Sequence, residues 1–267
     1  MYTNTIDQKS NIIKIRRSMC EQIHVPKVIA NLKIEYMTYR EKKYNMFENQ
    51  IPIHKDKLND QIFNHLCTML REGEFKPGQA VPVSQITKAF GVSAMPVREA
   101  LTQLLAIGVL DNVSGRTVGV PALGLAELKD LRDVRLEVES LATKWAVENQ
   151  DQEFLDEMHS LVEKLENAYK SNDIRAHIKA NFEFHFRLYK QSNSQVLMEV
   201  INTLWLRVSP HLYHLEPGKD LKVSNDHHKR IVQSIMEKNP EGAVAALRDD
   251  INDAYDVLLS PFSNPSS

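Results

Sequence analysis

Cysteine is nearly missing from this chain. Cys20 and Cys67 are the two among 267 residues, and they show no paired spacing. That excludes a disulfide framework and a thiolate zinc site, and it suits a reducing cytoplasm. Long apolar runs are also missing. None approaches the ~18 residues of a membrane span, so no membrane partner is expected. The start, MYTNTIDQKSNIIKIRRSMC, is basic but has no uninterrupted apolar core of a signal peptide. A cytoplasmic location is the resulting expectation. Internal repeats, low-complexity tracts and a nucleophile elbow are absent as well. What remains, 42% hydrophobic and 25% charged residues, is the composition of an ordinary globular protein.

Net charge is small too, a formal -2, which by itself speaks against nucleic acid. Its distribution speaks otherwise. Residues 1–50 carry nine basic against five acidic side chains, and residues 54–121 carry seven against six. The acidic excess therefore lies in the C-terminal half. Four segments follow: a basic, weakly ordered extension over 1–53, a domain over 54–121, a larger domain over 125–260, and a frayed tail over 261–267. Two readings of residues 1–45 stand. They add phosphate contacts, or they precede a start codon at Met37 or Met46.

From residue 56 the pattern sharpens. In DKLNDQIFNHLCTMLREGEF the set Leu58, Ile62, Phe63, Leu66, Met69 and Leu70 recurs at three- and four-residue steps, as on an amphipathic helix. Gly73 and KPG at 76–78 end it. Ser84 is the expected N-cap of a short helix closed by Gly91. Ser93 is the expected N-cap of the next, with Pro96 in its first turn and Val97, Leu101, Leu104 and Leu105 inward. After Gly108, VLDNVSGRTVGVPA reads as two short strands joined by the turn NVSG. Three helices and a hairpin make a winged helix-turn-helix.

Such a unit lays its second paired helix in the major groove and holds phosphates with its wing. The exposed residues at that helix's start are Ser93, Ala94, Met95 and Arg98. At the wing tip they are Ser114, Gly115 and Arg116. Double-stranded operator DNA is the expected partner, bound by a homodimer on two half-sites.

Beyond Pro121 no strand signal is found. Helical patterns cover about 125–149, 151–171, 173–192, 194–214, 219–238 and 240–259, an antiparallel six-helix bundle. The fold class is therefore mostly α. Inside the bundle, Asn181 and His185 stand four apart on one helical face, with His177 one turn earlier on that face, exposure to solvent being the alternative for it. Asp226, His227 and His228 come from a later helix, and Asp249 and Asp250 from the last.

The stretch LREGEFKPGQAV…QITKAFGVSAMPVREALTQLLAIGVL, about residues 56–121, resembles the GntR family of bacterial transcription regulators. The bundle resembles the FCD effector domain of the FadR subfamily, in its six-helix, VanR-type branch. Two departures are local. Ala94 stands where the family commonly has an arginine, and Ser84 where it often has a basic residue on the preceding helix, which alters the bases that can be read. The resemblance implies a divalent metal, zinc, nickel or manganese, held by Asn181, His185, His228 and Asp250. Asn181 and Asp250 replace the family's aspartate and last histidine. It also makes Arg135 a ligand-facing residue whose fork suits a small carboxylate effector. The alternative is that Arg135 pairs with Glu139 four residues on. Trp205, Tyr189 and Tyr213 are candidate lining aromatics.

The function expected is a ligand-responsive repressor and not an enzyme. Its effector shifts the two winged helices relative to each other through the linker around PALGLAEL. The alternative is a metal-dependent enzyme using the two-histidine, one-carboxylate set.

Overall fold

A computed structural model of the chain describes residues 57–115, 117–212 and 219–263. The extension expected over 1–53, the wing residue Arg116, Tyr213 and the end of the tail at 264–267 lie outside the described residues.

The first domain opens with α1 (Lys57–Arg71), which buries Ile62, Leu66, Cys67 and Leu70. Leu58, one turn before this stripe, is exposed instead. Next come α2 (Val83–Phe90) and α3 (Ala94–Ala106). Ser84 is not the cap of α2. Pro82 is the N-cap, its carbonyl accepting the N–H of Gln85 at 3.0 Å, and Ser84 falls inside the first turn. Gly91 closes α2 at φ 65°, a left-handed value that glycine adopts without strain.

The wing is β1 (Asp111–Ser114) paired antiparallel with β2 (Thr117–Gly119), in register Asp111↔Gly119, Asn112↔Val118 and Ser114↔Thr117. Asn112, Val113 and Ser114 of NVSG are therefore strand, and the turn begins only at its last residue, Gly115, at φ 57°. Gly119 bridges Ala80, and a Cβ there would lie 2.4 Å from the Gln79 carbonyl oxygen, so this close approach requires glycine. Val97, Ala100, Leu101 and Leu104 of α3 pack with Val109, Leu110 and Val120 at the centre of this domain.

The second domain is the bundle of α4 (Leu125–Glu148), α5 (Gln152–Lys170), α6 (Ile174–Lys190), α7 (Gln195–Leu212), α8 (Lys219–Met236) and α9 (Pro240–Ser263). Local chemistry sets their ends. Asp151 and Asp173 cap α5 and α6 by accepting the N–H of Phe154 (2.8 Å) and Ala176 (3.0 Å). Helix α9 packs along α4 and α8, and α5 along α6 and α8. Phe154, Phe184, Tyr189, Ile231 and Tyr255 lie in the core between them.

The tail begins later than residue 261. Helix α9 runs through Pro261 to Ser263, although proline cannot donate the next helical bond. The carbonyl of Val257, four residues before Pro261, takes the Ser260 hydroxyl at 2.8 Å instead. Among the described residues no helix is long and apolar enough to cross a membrane.

Helix α7 joins the two domains. Leu206 is fully buried in the winged-helix core, while Leu204, Trp205 and Val208 belong to the bundle core. Asn202 of α7 accepts a bond from Arg71 of α1 at 3.0 Å. His211 Nε2, near the end of α7, accepts the linker N–H of Leu123 at 3.2 Å.

Candidate functional site

At the start of α3, Ser93 is the N-cap in extended conformation and makes no side-chain capping bond. Ala94, Met95 and Arg98 are exposed beside it, Met95 to 66%. No acidic residue sits in this first turn to offset the positive end of the helix dipole. Ser114 and Gly115 are exposed at the tip of the wing.

The bundle encloses a cavity of about 290 Å³. Helix α6 places His177, Asn181 and His185 on it, four residues apart along one face. His177 keeps to the face expected for it and is 4% exposed, so the solvent-exposed alternative does not hold. The reason is that α6 turns its 177–181–185 row toward α9, whose Asp250 also lines the cavity. His228 of α8 lies fully buried behind His185.

His185, His228 and Asp250 converge. The two Nε2 atoms are 3.1 Å apart, and Asp250 Oδ2 is 3.2 Å from His185 Nε2 and 4.0 Å from His228 Nε2. For bonds of ~2.0–2.2 Å, two donors on one tetrahedral zinc ion stand about 3.3–3.6 Å apart. The three separations bracket that range. Asn181 lines the same cavity. His227 pairs with Asp253 at 2.7 Å, and Asp249 with Arg230 at 3.0 Å, so these neighbours are engaged elsewhere.

Proton placement sharpens the fit. Tyr189 is fully buried, and burial beside Glu139 pushes its phenol well above the usual range. Its hydroxyl donates to Glu139. The phenolic oxygen, 3.1 Å from His185 Nδ1, then accepts, which puts the His185 proton on Nδ1. The Nε2 lone pair is left aimed at the Asp250 carboxylate and at His228. Two acceptors so close repel unless a cation or a proton lies between them.

Burial also holds His228 near pKa 3 and His177 near 4, so both rings are neutral, against the opposing pull of Asp250. Burial opposes ionisation of Asp250 as well. A proton or cation shared with the facing imidazoles of His228 and His185, together with the Ser224 hydroxyl 2.9 Å away, outweighs it and keeps the carboxylate charged. Neutral imidazoles and one anionic oxygen form a donor set suited to a divalent transition metal.

Arg135 lines the cavity, but its fork rests on Glu139, Nε to Oε1 at 2.7 Å and Nη2 to Oε2 at 3.5 Å. The pairing named as the alternative is present. Arg135 thereby anchors the carboxylate that orients Tyr189 and, through it, His185. Trp205 also lines the cavity, stacked on Arg135 at 4.8 Å and close to His185 at 5.3 Å. Tyr189 stands behind His185 rather than on the wall.

Sequence reasoning missed Ser224 and Arg71, both on the cavity wall. Ser224 lies in the same helical row as His228, a signal that spacing alone carries. Arg71 belongs to the winged helix and has no such signal.

Residues 58–120 match the family described as "Bacterial regulatory proteins, gntR family", and residues 130–253 match the FCD domain. The HTH-type transcriptional regulator McbR of Escherichia coli (strain K12) is 29% identical over 206 residues, covering 76% of this chain and 93% of its own. Its solved structure superposes with a TM-score of 0.73, at 28% identity, over 78% of this chain and all of the other. The HTH-type transcriptional repressor NanR of Enterobacter sp. (strain 638) is 26% identical over 224 residues, 75% of this chain and 85% of its own. The winged helix, the helical bundle and these relatives agree, and the chain is a transcriptional regulator of the GntR/FCD type, with a gntR-family winged helix and an FCD domain as its bundle.

Proposed function

We propose that this regulator is a cytoplasmic homodimeric repressor that leaves operator DNA when a small organic acid enters the bundle cavity. His185, His228 and Asp250, with Asn181 beside them, would hold a divalent metal, zinc, nickel or manganese. A bound ion would supply positive charge and open positions for a carboxylate oxygen. The observation that carries this reading is the convergence of three buried donors on one point at the wall of a cavity.

The chain's own groups divide the work. Glu139 and Tyr189 orient His185, Ser224 steadies Asp250, and burial keeps His228 neutral at every physiological pH. The repressor assignment is supported by the printed names of two relatives, NanR and the probable D-xylose utilization operon repressor of Paenarthrobacter nicotinovorans. The homodimer is supported by Val134 and Leu141, exposed apolar residues seven apart on one face of α4. The relatives are named as transcriptional regulators, which lends the enzyme alternative no support.

The test is selection of bound sequences from a random DNA pool, with and without chelator, alongside metal analysis of the purified protein. A two-fold symmetric motif and about one metal per chain, lost in His185→Ala, are the expected results. No enriched sequence would overturn the repressor reading. A motif with no metal in the wild type would overturn the metal.

A further inference from the structure

Two arginines line the cavity, and their charges are not equivalent. Arg135 is neutralised inside the protein by Glu139. Arg71 comes from the last turn of α1, in the other domain. Its guanidinium lies 5.0 Å from the ring centroid of Phe182 on α6, and Nη1 donates to the neutral amide of Asn202. Among the described residues that line the cavity, Arg71 is the cation without a carboxylate in ion-pair reach. Partial burial strips water from it and lowers its pKa. A guanidinium that has lost water and donates to an amide, with the Glu72 carboxylate nearby but outside ion-pair reach, gains from an anion.

A second observation concerns position. Another cavity, of about 180 Å³, lies along the seam of the two domains, lined by Thr68, Arg71 and Glu72 on one side and by Lys179, Phe182 and Glu183 on the other. Arg71 and Phe182 line both cavities. Their stack is the partition between the bundle cavity and the domain seam. The acids on the cavity wall, Asp250, Asp253 and Asp256, all lie on α9, so an anion is drawn toward Arg71.

We propose that Arg71 holds the effector's carboxylate, so that the bound acid ties the winged helix to the bundle. This rests on the organic-acid reading above. The ligand presents its carboxylate to Arg71 and an apolar body to Ile178, Phe182, Trp205, Leu212 and Ile251. A swing of the winged helix away from α6 withdraws Arg71 and weakens the ligand. By reciprocity the ligand resists that swing, which is how occupancy of the cavity reaches the DNA-reading helix.

The test is calorimetry on the full chain with benzoate, phenylacetate, succinate and citrate, and with benzamide and phenylacetamide as uncharged counterparts. Arg71→Gln is expected to weaken the acids about 10- to 100-fold and leave the amides unchanged. Asn202→Asp gives Arg71 a carboxylate within the protein, so the same loss is expected with the arginine intact. Arg71→Lys is expected to fall between. Thermal melts establish that each variant is folded.

Equal loss for acid and amide marks a distorted cavity and overturns the assignment. Unchanged acid binding in Arg71→Gln and Asn202→Asp, with loss in Arg135→Gln, overturns it while leaving the organic-acid reading intact. If no acid binds the wild type, the organic-acid reading itself falls, and the role of Arg71 with it.

Discussion

His185 can aim its Nε2 lone pair at Asp250 only while something accepts the proton on Nδ1. Tyr189 is that acceptor, because Glu139 takes its own proton. Tyr189→Phe removes the acceptor and frees the ring to adopt the other tautomer. The expected result is a loss of about 10- to 100-fold in zinc affinity, read by competition with a chromogenic chelator. Unchanged affinity would mean that the tautomer is set elsewhere. His177 yields a prediction of another kind. It is buried, and its pKa is held near 4 against an ordinary 6.5. The unfolded chain therefore takes up this proton first as pH falls. Stability is full above about pH 6.5 and drains down to about pH 4, by on the order of 2–3 kcal/mol for this group. Urea midpoints across that window are expected to fall less steeply in His177→Gln. An equally steep fall would show that other groups carry the effect.

Helix ends decide how the bundle is divided, and they were the part of the fold most open to reading. Asn172 and Asn193 sit just past α5 and α6 at φ 53° and 56°, a conformation asparagine tolerates, and both breaks were placed from those residues. Lys238 takes the same role before α9 at φ 53° with no such tolerance. Lys238→Gly is expected to raise stability by about 0.5–1 kcal/mol, seen as a higher urea midpoint with operator binding unchanged. A lower midpoint would refute the strain argument. What sequence could not reveal is where a side chain substitutes for backbone. Ser260 keeps α9 going past Pro261, and Pro82 takes the cap that Ser84 promised. The candidate site divides the same way. Asn181 and His185 share a face by simple helical spacing, while His228 and Asp250 were chosen from several polar neighbours by family resemblance. Arg71 was illegible because its partner Asn202 lies 131 residues away, a contact that only tertiary packing creates.

At the scale of the molecule, coupling depends on one helix having two sides. On α7, Trp205 faces the cavity and packs on Arg135 and His185, and the next residue, Leu206, is wholly buried in the winged-helix core. Asn202 and His211, on the same helix, hold Arg71 and the linker at Leu123. On the proposed reading, a shift of Trp205 on ligand binding would pass through a rigid element to the other domain, with no need for a chain of soft contacts. Leu206→Ala tests this directly. Removing the side chain leaves a cavity in the seam that costs about 2–5 kcal/mol. Because Leu206 is carried by a bundle helix and fills the winged-helix core, its loss weakens the winged helix and its hold on the bundle, while the bundle keeps its own core. Wild-type protein is expected to unfold in one transition, and the variant in two, with the winged helix melting first. Its operator affinity should also respond less to any acid that acts on the wild type. A variant that still unfolds in one transition and responds fully would move the coupling from Leu206 to the other contacts across the seam, the Arg71–Asn202 bond and the Leu123–His211 bond of the linker.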